Sequence, residues 1–293
     1  LFDLGAESVE RYGYPYLMFH RGDLHLALAD AVRAEKRDAI HLGATCVGCD
    51  QDGSSVRLKI EGQDDVVGDV LVAADGVHSA IRQTLYGPDD RTFSGLIAWR
   101  GVIDKAKLPD EMKRPVGVNW VGPGGHVVHY FVRNGAMLNI VGILEKDDWQ
   151  VESWTAQGTH EECLADFEGW HEAIRETFRH VETPFKWALM RREPMERWTT
   201  GRITLLGDAC HPMVPMLAQG AVMAIEDGMV LARCLEAWPG DPETALTHYE
   251  SARLERTARC IRGSNENADR FHNSQLADPV VAARYVDEEW QPD

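Results

Sequence analysis

Residues 201–235 read GRITLLGDACHPMVPMLAQGAVMAIEDGMVLARCL, and the fold is decided there. Ile203, Thr204, Leu205 and Leu206 form a short apolar run of the kind that makes a buried strand, and it stops at Gly207 and Asp208. An irregular loop with Pro212 and Pro215 follows. A helix is expected to start between Ala218 and Gly220, because Ala221, Val222, Ile225, Met229 and Ala232 recur at helical spacing. A strand that ends at an aspartate before a helix amino terminus suits a ligand with hydroxyl groups and an electron-rich end. The carboxylate accepts hydrogen bonds from a sugar-like chain, and the N–H groups of the first helical turn face partial negative charge. A plain strand, loop and helix with a capping aspartate shares the pattern, so a second signal is needed.

That signal lies at residues 69–85. DVLVAA is a near-continuous apolar run typical of a central parallel strand; it breaks at Asp75 and Gly76 and leads into a short helix expected over 78–85. Gly76 lets backbone approach a pyrophosphate, Asp75 accepts from ribose hydroxyls, and Arg82 adds positive charge. Upstream, residues 41–67 alternate around Asp52 and Gly53, a hairpin signal that predicts a small antiparallel meander.

The two stretches resemble the DG and GD motifs of single-component FAD-dependent aromatic hydroxylases, of the salicylate, 3-hydroxybenzoate and 6-hydroxynicotinate type. The resemblance implies that Asp208 binds the flavin ribityl chain. The backbone at Gln219, Gly220 and Ala221 would lie near the pyrimidine side of the ring, with Pro215 close to it. Asp75, Gly76 and Arg82 would serve FAD and NAD(P)H. Arg21, in HRGDLHLAL, resembles the family's flavin-contacting arginine; it sits ahead of Asp23, read as the N-cap of a helix with Leu24, Leu28 and Val32 on one face. His211, common at its position in the family, is read as shaping the loop. The family also carries a G-x-G-x-x-G fingerprint, which is absent from this sequence. The resemblance therefore implies that roughly the first 80 to 100 residues of the natural protein, a βαβ unit and its connection, lie outside this chain.

Between the motifs, residues 93–144 alternate as strands with Gly, Pro and Asn punctuation, and Asn134 with Gly135 predicts a tight hairpin. An antiparallel sheet results, and in the family such a sheet roofs the substrate cavity. Alternation puts His126 and Tyr130 on one face and His129 on the other. The H-x-x-x-Y spacing resembles the family pair that binds and helps deprotonate the ring hydroxyl, which makes His126 the expected base and Tyr130 the orienting group. Trp99, Arg100, Met216 and Leu217 are the expected pocket lining. Where the family has an acid before an arginine, this chain has Arg191 and Arg192, which leaves the local charge pair open. Residues 161–178 carry an amphipathic helical pattern, and Trp149, Trp154 and Trp170 are read as packing residues.

Composition narrows the rest. The 47 acidic against 30 basic residues leave a net charge of −17, which argues against a duplex nucleic-acid binder. No apolar run approaches a membrane span, and the scattered cysteines, Cys46 and Cys49 included, read as neither a disulfide framework nor a metal or redox site. The cytoplasm is the expected compartment.

The expected fold is α/β (α+β): a Rossmann-like FAD-binding domain, incomplete here, at 1–90 and 191–293, interleaved with an antiparallel-sheet substrate domain at 91–190. The resemblance implies an NAD(P)H-dependent monooxygenase that hydroxylates a small phenolic acid with O2 through a flavin C4a-hydroperoxide. No metal is implied, and a homodimer stays among the open assemblies. Two alternatives stand beside it: a flavin oxygenase of the same fold for a larger aromatic or heteroaromatic metabolite, and a non-catalytic fragment unable to hold FAD.

Overall fold

The two apolar runs that precede the aspartates lie side by side as parallel strands, Leu71 opposite Ile203 and Ala73 opposite Leu205. The computed structural model describes residues 6–148, 151–152 and 155–289; Trp149 and Trp154 lie outside them. In chain order the elements are α1 (Ala6–Tyr12), α2 (Arg21–Glu35), β1 (Cys46–Gln51), β2 (Val56–Ile60), β3 (Val66–Gly68), β4 (Leu71–Ala73), α3 (Ala80–Tyr86) and β5 (Arg91–Asp104). Then come β6 (Val118–Gly122), β7 (Gly125–Val132), β8 (Met137–Glu145), α4 (His160–Asp166), α5 (Glu172–Arg179) and β9 (Phe185–Arg192). The chain continues through β10 (Thr199–Thr200), β11 (Ile203–Leu205), α6 (Gly220–Ala237), α7 (Pro242–Phe271) and α8 (Pro279–Glu289).

The chain divides into two compact units. One holds residues 41–93 and 190–268, the other 1–40, 94–189 and 269–293. The segments 1–40 and 269–293 thus group with the large antiparallel sheet rather than with the motif-bearing unit.

The motif-bearing unit contains the meander β1-β2-β3 and the small sheet β10-β11-β4. The meander turns where the sequence indicates: Asp52 Oδ1 accepts from the N–H groups of Ser54 and Ser55 at 3.1 and 3.0 Å, which closes the turn. Ala73, Ile81, Trp198, Ile203, Leu205, Leu246 and Tyr249 form its core. Cys46 and Cys49 sit in β1, and all six cysteines are free thiols.

In the other unit the sheet order is β6-β7-β8-β5-β9. The hairpin at Asn134 joins Val132 to Met137 through four residues, with Arg133, Asn134 and Gly135 all at positive φ. The sheet's two faces differ. Trp99, Ile103, Leu138, Ile140 and Val127 are buried on one face, beneath α4 and α5. Gly142 belongs to that face, and a Cβ there would stand 2.2 Å from the Phe167 ring, so glycine is what lets α4 come close. Phe167 in turn stacks on Phe178 at 4.3 Å. The expected single helix over 161–178 is two, broken at Gly169, whose φ of +83° a helix cannot contain. Trp170, half-buried, packs edge-on against Phe167.

Candidate functional site

In the motif-bearing unit, β4 and β11 end together, so Asp75 and Asp208 leave the same carboxyl edge of a parallel pair. That edge is where ligands bind in open α/β sheets. Asp75 is exposed and its carboxylate accepts from the Ile81 N–H at 3.3 Å, tying it loosely to the start of α3. Gly76 has φ of +78°, and no atom lies within 4 Å of where a Cβ would be, which leaves the room a pyrophosphate needs. Asp208 is half-buried beside Gly220, the first residue of α6. Gln219, the N-cap, makes no side-chain cap, so the first-turn N–H groups of Gly220 and Ala221 are not met by a capping side chain. Pro215 and Leu217 are exposed on the same loop. These donors, acceptors and open backbone fit a dinucleotide with a hydroxylated chain.

Two expected site residues are placed otherwise. Arg82 is buried; its guanidinium donates to the Ala209 and Val77 carbonyls at 2.9 and 2.7 Å and pairs with Asp89 at 3.3 Å. It fastens α3 to the loop after β11 instead of adding a surface charge for phosphate. Met216 is 4% exposed and belongs to the core, its carbonyl accepting from Asn267, so only Leu217 of that pair presents an apolar surface. The open question at Arg192 also resolves: its acid is Asp89, contacted by Nε at 3.1 Å and by Nη2 at 2.8 Å.

The loop's anchor is a residue the sequence reading passed over. Asp227, fully buried in α6, accepts from the Gly207 N–H at 3.0 Å, from His211 Nε2 at 2.5 Å and from Arg253 Nε at 2.7 Å. Burial raises its pKa, but the bonds and charges of His211 and Arg253 outweigh that and hold it below the usual carboxylate value. Arg253 and Arg256 both reach Glu226, which extends the network. The sequence pattern pointed elsewhere: the stripe of Ala221, Val222, Ile225, Met229 and Ala232 is exposed, and the buried face of α6 is the opposite one, with Met223, Asp227 and Leu231. His211 is therefore a loop-shaping residue. Cys210, His211 and Asp227 offer ligand atoms within 4.8 Å of one another. Both Asp227 oxygens are already committed to donors, and burial pushes the Cys210 thiol far above its ordinary pKa, so the cluster reads as structural.

In the sheet unit, register decides which residues share a face. Arg100 lies opposite Val141, and Val141 opposite Val128; Tyr130 lies opposite Asn139. With Phe185 and Trp187 these residues form the half-buried face. The Arg100 guanidinium sits over both rings, 5.5 Å from the Phe185 centroid and 5.2 Å from that of Trp187. Burial, then the charge of Tyr16, raise the Tyr130 pKa, with Arg21 opposing, so its phenol keeps its proton at neutral pH. Trp99 turns the other way. Adjacent strand residues face opposite sides, and Trp99 is in the core with its indole N–H on Asp166 at 2.7 Å, not in a pocket lining.

His126 shares the face of Tyr130, as alternation requires, but its end of that face is closed. Its Nδ1 lies 2.8 Å from His272 Nε2, and the Phe271 ring covers it at 5.0 Å. Burial, with the neighbouring His272, lowers its pKa to about 3. Such an imidazole is a poor acceptor for a phenolic proton, so this placement departs from the expected base. His129 turns into the helix-covered core with neither ring nitrogen hydrogen-bonded. Arg21 is exposed at the first position of α2, whose N-cap is His20 rather than Asp23; Asp23 instead meets Arg133 at 2.8 Å.

Comparison with known proteins agrees with this geometry. The family model described as FAD binding domain matches residues 11–264. The chain is 39% identical over 271 residues to 3-amino-4-hydroxybenzoate 2-monooxygenase of Streptomyces platensis, covering 92% of this chain and 67% of that protein. It is 33% identical over 273 residues to 3-hydroxybenzoate 6-hydroxylase of Klebsiella oxytoca, covering 92% and 68%. Among solved structures, Klebsiella pneumoniae HpxO complexed with FAD and uric acid aligns with a TM-score of 0.81 at 25% identity, covering 97% of this chain and 70% of that one. A salicylate hydroxylase substrate complex aligns at 0.73 and 25%, covering 92% and 72%.

Proposed function

This chain belongs to the FAD-binding family of aromatic-ring monooxygenases, and from that premise we propose that its substrate is a small phenolic carboxylic acid, hydroxylated with NAD(P)H and O2. The observation that carries the reading is the shared carboxyl edge of β4 and β11, where Asp75, Asp208 and the amino end of α6 meet the needs of one cofactor. FAD, when bound, supplies the redox chemistry: it accepts hydride and activates oxygen for insertion into the ring. The protein supplies the rest. Asp208 and Asp75 would accept from the FAD hydroxyls, Gly76 would leave space for its phosphates, and the first-turn amides of α6 would favour its electron-rich end. On the sheet face, the protonated phenol of Tyr130 is a hydrogen-bond partner for a substrate ring oxygen, and the apolar row of Val128 and Val141 excludes water from beneath the ring.

The test is to add FAD to the purified protein and follow retained flavin absorbance near about 450 nm, a property of the oxidised cofactor. Oxidation of NADH and uptake of O2 with 3-hydroxybenzoate or salicylate, and a product one oxygen heavier, are the expected results. A protein that holds no flavin and responds to no aromatic acid overturns the reading and leaves the non-catalytic fragment. A second reading rests on the alignment with the uric acid complex: turnover with urate and none with hydroxybenzoates would establish a heteroaromatic substrate instead.

A further inference from the structure

At one end of the Tyr130 face, side chains from three parts of the sheet unit stand in line. Glu145 closes β8, His126 lies in β7, and His272 directly follows α7. The exposed Glu145 carboxylate is 3.3 Å from His272 Nδ1, and His272 Nε2 is 2.8 Å from His126 Nδ1. Backbone holds the line in place: the Gly124 N–H donates to the His272 carbonyl at 3.1 Å, and the Glu145 N–H donates to the Gly124 carbonyl at 2.9 Å. The Phe271 ring, 5.0 Å from that of His126, keeps water from competing for the bond between the imidazoles.

This line has a direction. Burial lowers the pKa of His126, with the neighbouring His272 adding to it, and lowers that of His272 against the opposing charges of Glu145 and Asp269, so both rings are neutral at neutral pH. An ionised carboxylate only accepts, so His272 carries its proton on Nδ1. Its Nε2 is then a lone pair, and the bond between the rings requires the His126 proton on Nδ1. The Nε2 of His126 is left bare. Across the strands its neighbours on that face are Val121 and Ile143, which offer no side-chain hydrogen-bonding group. A ring seated over Val128 has His126 on one side along the strand and Tyr130 on the other, each a two-residue step of about 7 Å away.

We propose that Glu145 and His272 are positioning residues that lock His126 in the Nδ1–H tautomer, so that its Nε2 accepts a hydrogen bond from the substrate's ring hydroxyl. His126 then orients that hydroxyl without taking its proton. The role rests on the functional reading above; the tautomer does not.

The tautomer is read by nitrogen NMR of the same chain labelled at histidine, with His126 assigned by the signals that His126→Phe removes. The expected wild-type state is Nδ1 protonated and Nε2 bare. Glu145→Leu, made at an exposed side chain, and His272→Phe should release His126 to a mixture of tautomers. Glu145→Gln, whose amide oxygen still accepts from Nδ1, should keep the wild-type state. A part in packing alone would leave the tautomer unmoved in Glu145→Leu. With FAD bound, 3-hydroxybenzoate affinity should fall roughly fivefold in Glu145→Leu and recover in Glu145→Gln, since only the rings left in the Nδ1–H form stay competent. A proton on Nε2 in the wild type, or no change in either releasing variant, overturns the lock. A released tautomer with unchanged 3-hydroxybenzoate affinity and full flavin retention overturns the positioning role and leaves the monooxygenase reading standing. A wild type that holds no flavin and binds no aromatic acid overturns that reading, and the role with it, whatever the tautomer.

Discussion

The motif-bearing unit and the sheet unit each hold unmatched buried polar atoms, Trp198 Nε1 and Ser264 Oγ in the first among them, but they differ in what stands at their centres. In the first, Asp227 has three donors, Arg82 has two carbonyls and Asp89, and Arg192 has both oxygens of the same aspartate. In the second, His129 is buried with no partner at either nitrogen, and the Trp120 indole nitrogen and Asn119 amide oxygen are likewise unmatched. A satisfied network holds a loop in one geometry, which is what a tightly held cofactor requires. Unmatched groups cost stability and leave a sheet easier to rearrange. The comparison teaches that charged hydrogen bonds fix the loop carrying Asp208, while the core side of the sheet carries a histidine that packing alone holds.

Removing the centre of the satisfied network should break that contrast most severely. Asp227→Ala strands the buried Arg253 cation and should cost about 3–5 kcal/mol, read as a lower urea midpoint. An unchanged midpoint would mean that the network is ornamental. Asp208→Ala comes next: it touches no core packing, so the midpoint should hold while flavin affinity falls roughly 10- to 100-fold, the loss of charged hydrogen bonds. Equilibrium dialysis with FAD separates the two effects.

The sheet unit should respond in the other direction. His129→Phe removes two unmatched nitrogens and should be neutral or stabilising by about 1–3 kcal/mol. It should also flatten the acid limb. Burial lowers the His129 pKa to about 4 in the fold, so between the ordinary value of 6.5 and about 4 the unfolded chain binds the extra proton. The neutral histidine's contribution is fully present above 6.5 and is lost as pH falls towards 4. Melting temperatures measured from pH 7 down to 4.5 should fall less steeply for the variant than for the wild type, and parallel curves would refute the assignment. The smallest effect belongs to the exposed pair of Asp23 and Arg133: Asp23→Ala should leave the melting temperature unchanged within error.

Much of this was legible in one dimension. The apolar runs before Asp75 and Asp208, the Asp52 and Gly53 turn, and the alternation that separates His126 and Tyr130 from His129 are local patterns, and local patterns follow from backbone periodicity. What stayed hidden was where long side chains end. Arg82 reads as a free cation on a helix, yet it reaches a carbonyl of Ala209 far along the chain. Asp227 reads as a polar residue on the face of α6 away from the apolar stripe, yet that face is the buried one and three segments converge on it. His126 reads as an accessible base, and Phe271 and His272, at and just past the end of α7, close it off.

Sequence alone determined the two aspartate-ended strands, the turn at Asp52 and the separation of His126 and Tyr130 from His129, because those depend on neighbours a few residues apart. Tertiary structure alone decided that β4 and β11 pair in parallel, that Trp99 turns into the core while Arg100 lies over the Phe185 and Trp187 rings, and which charged groups are used internally. Those outcomes depend on partners brought together from distant parts of the chain, and burial, not spacing, sets their chemistry.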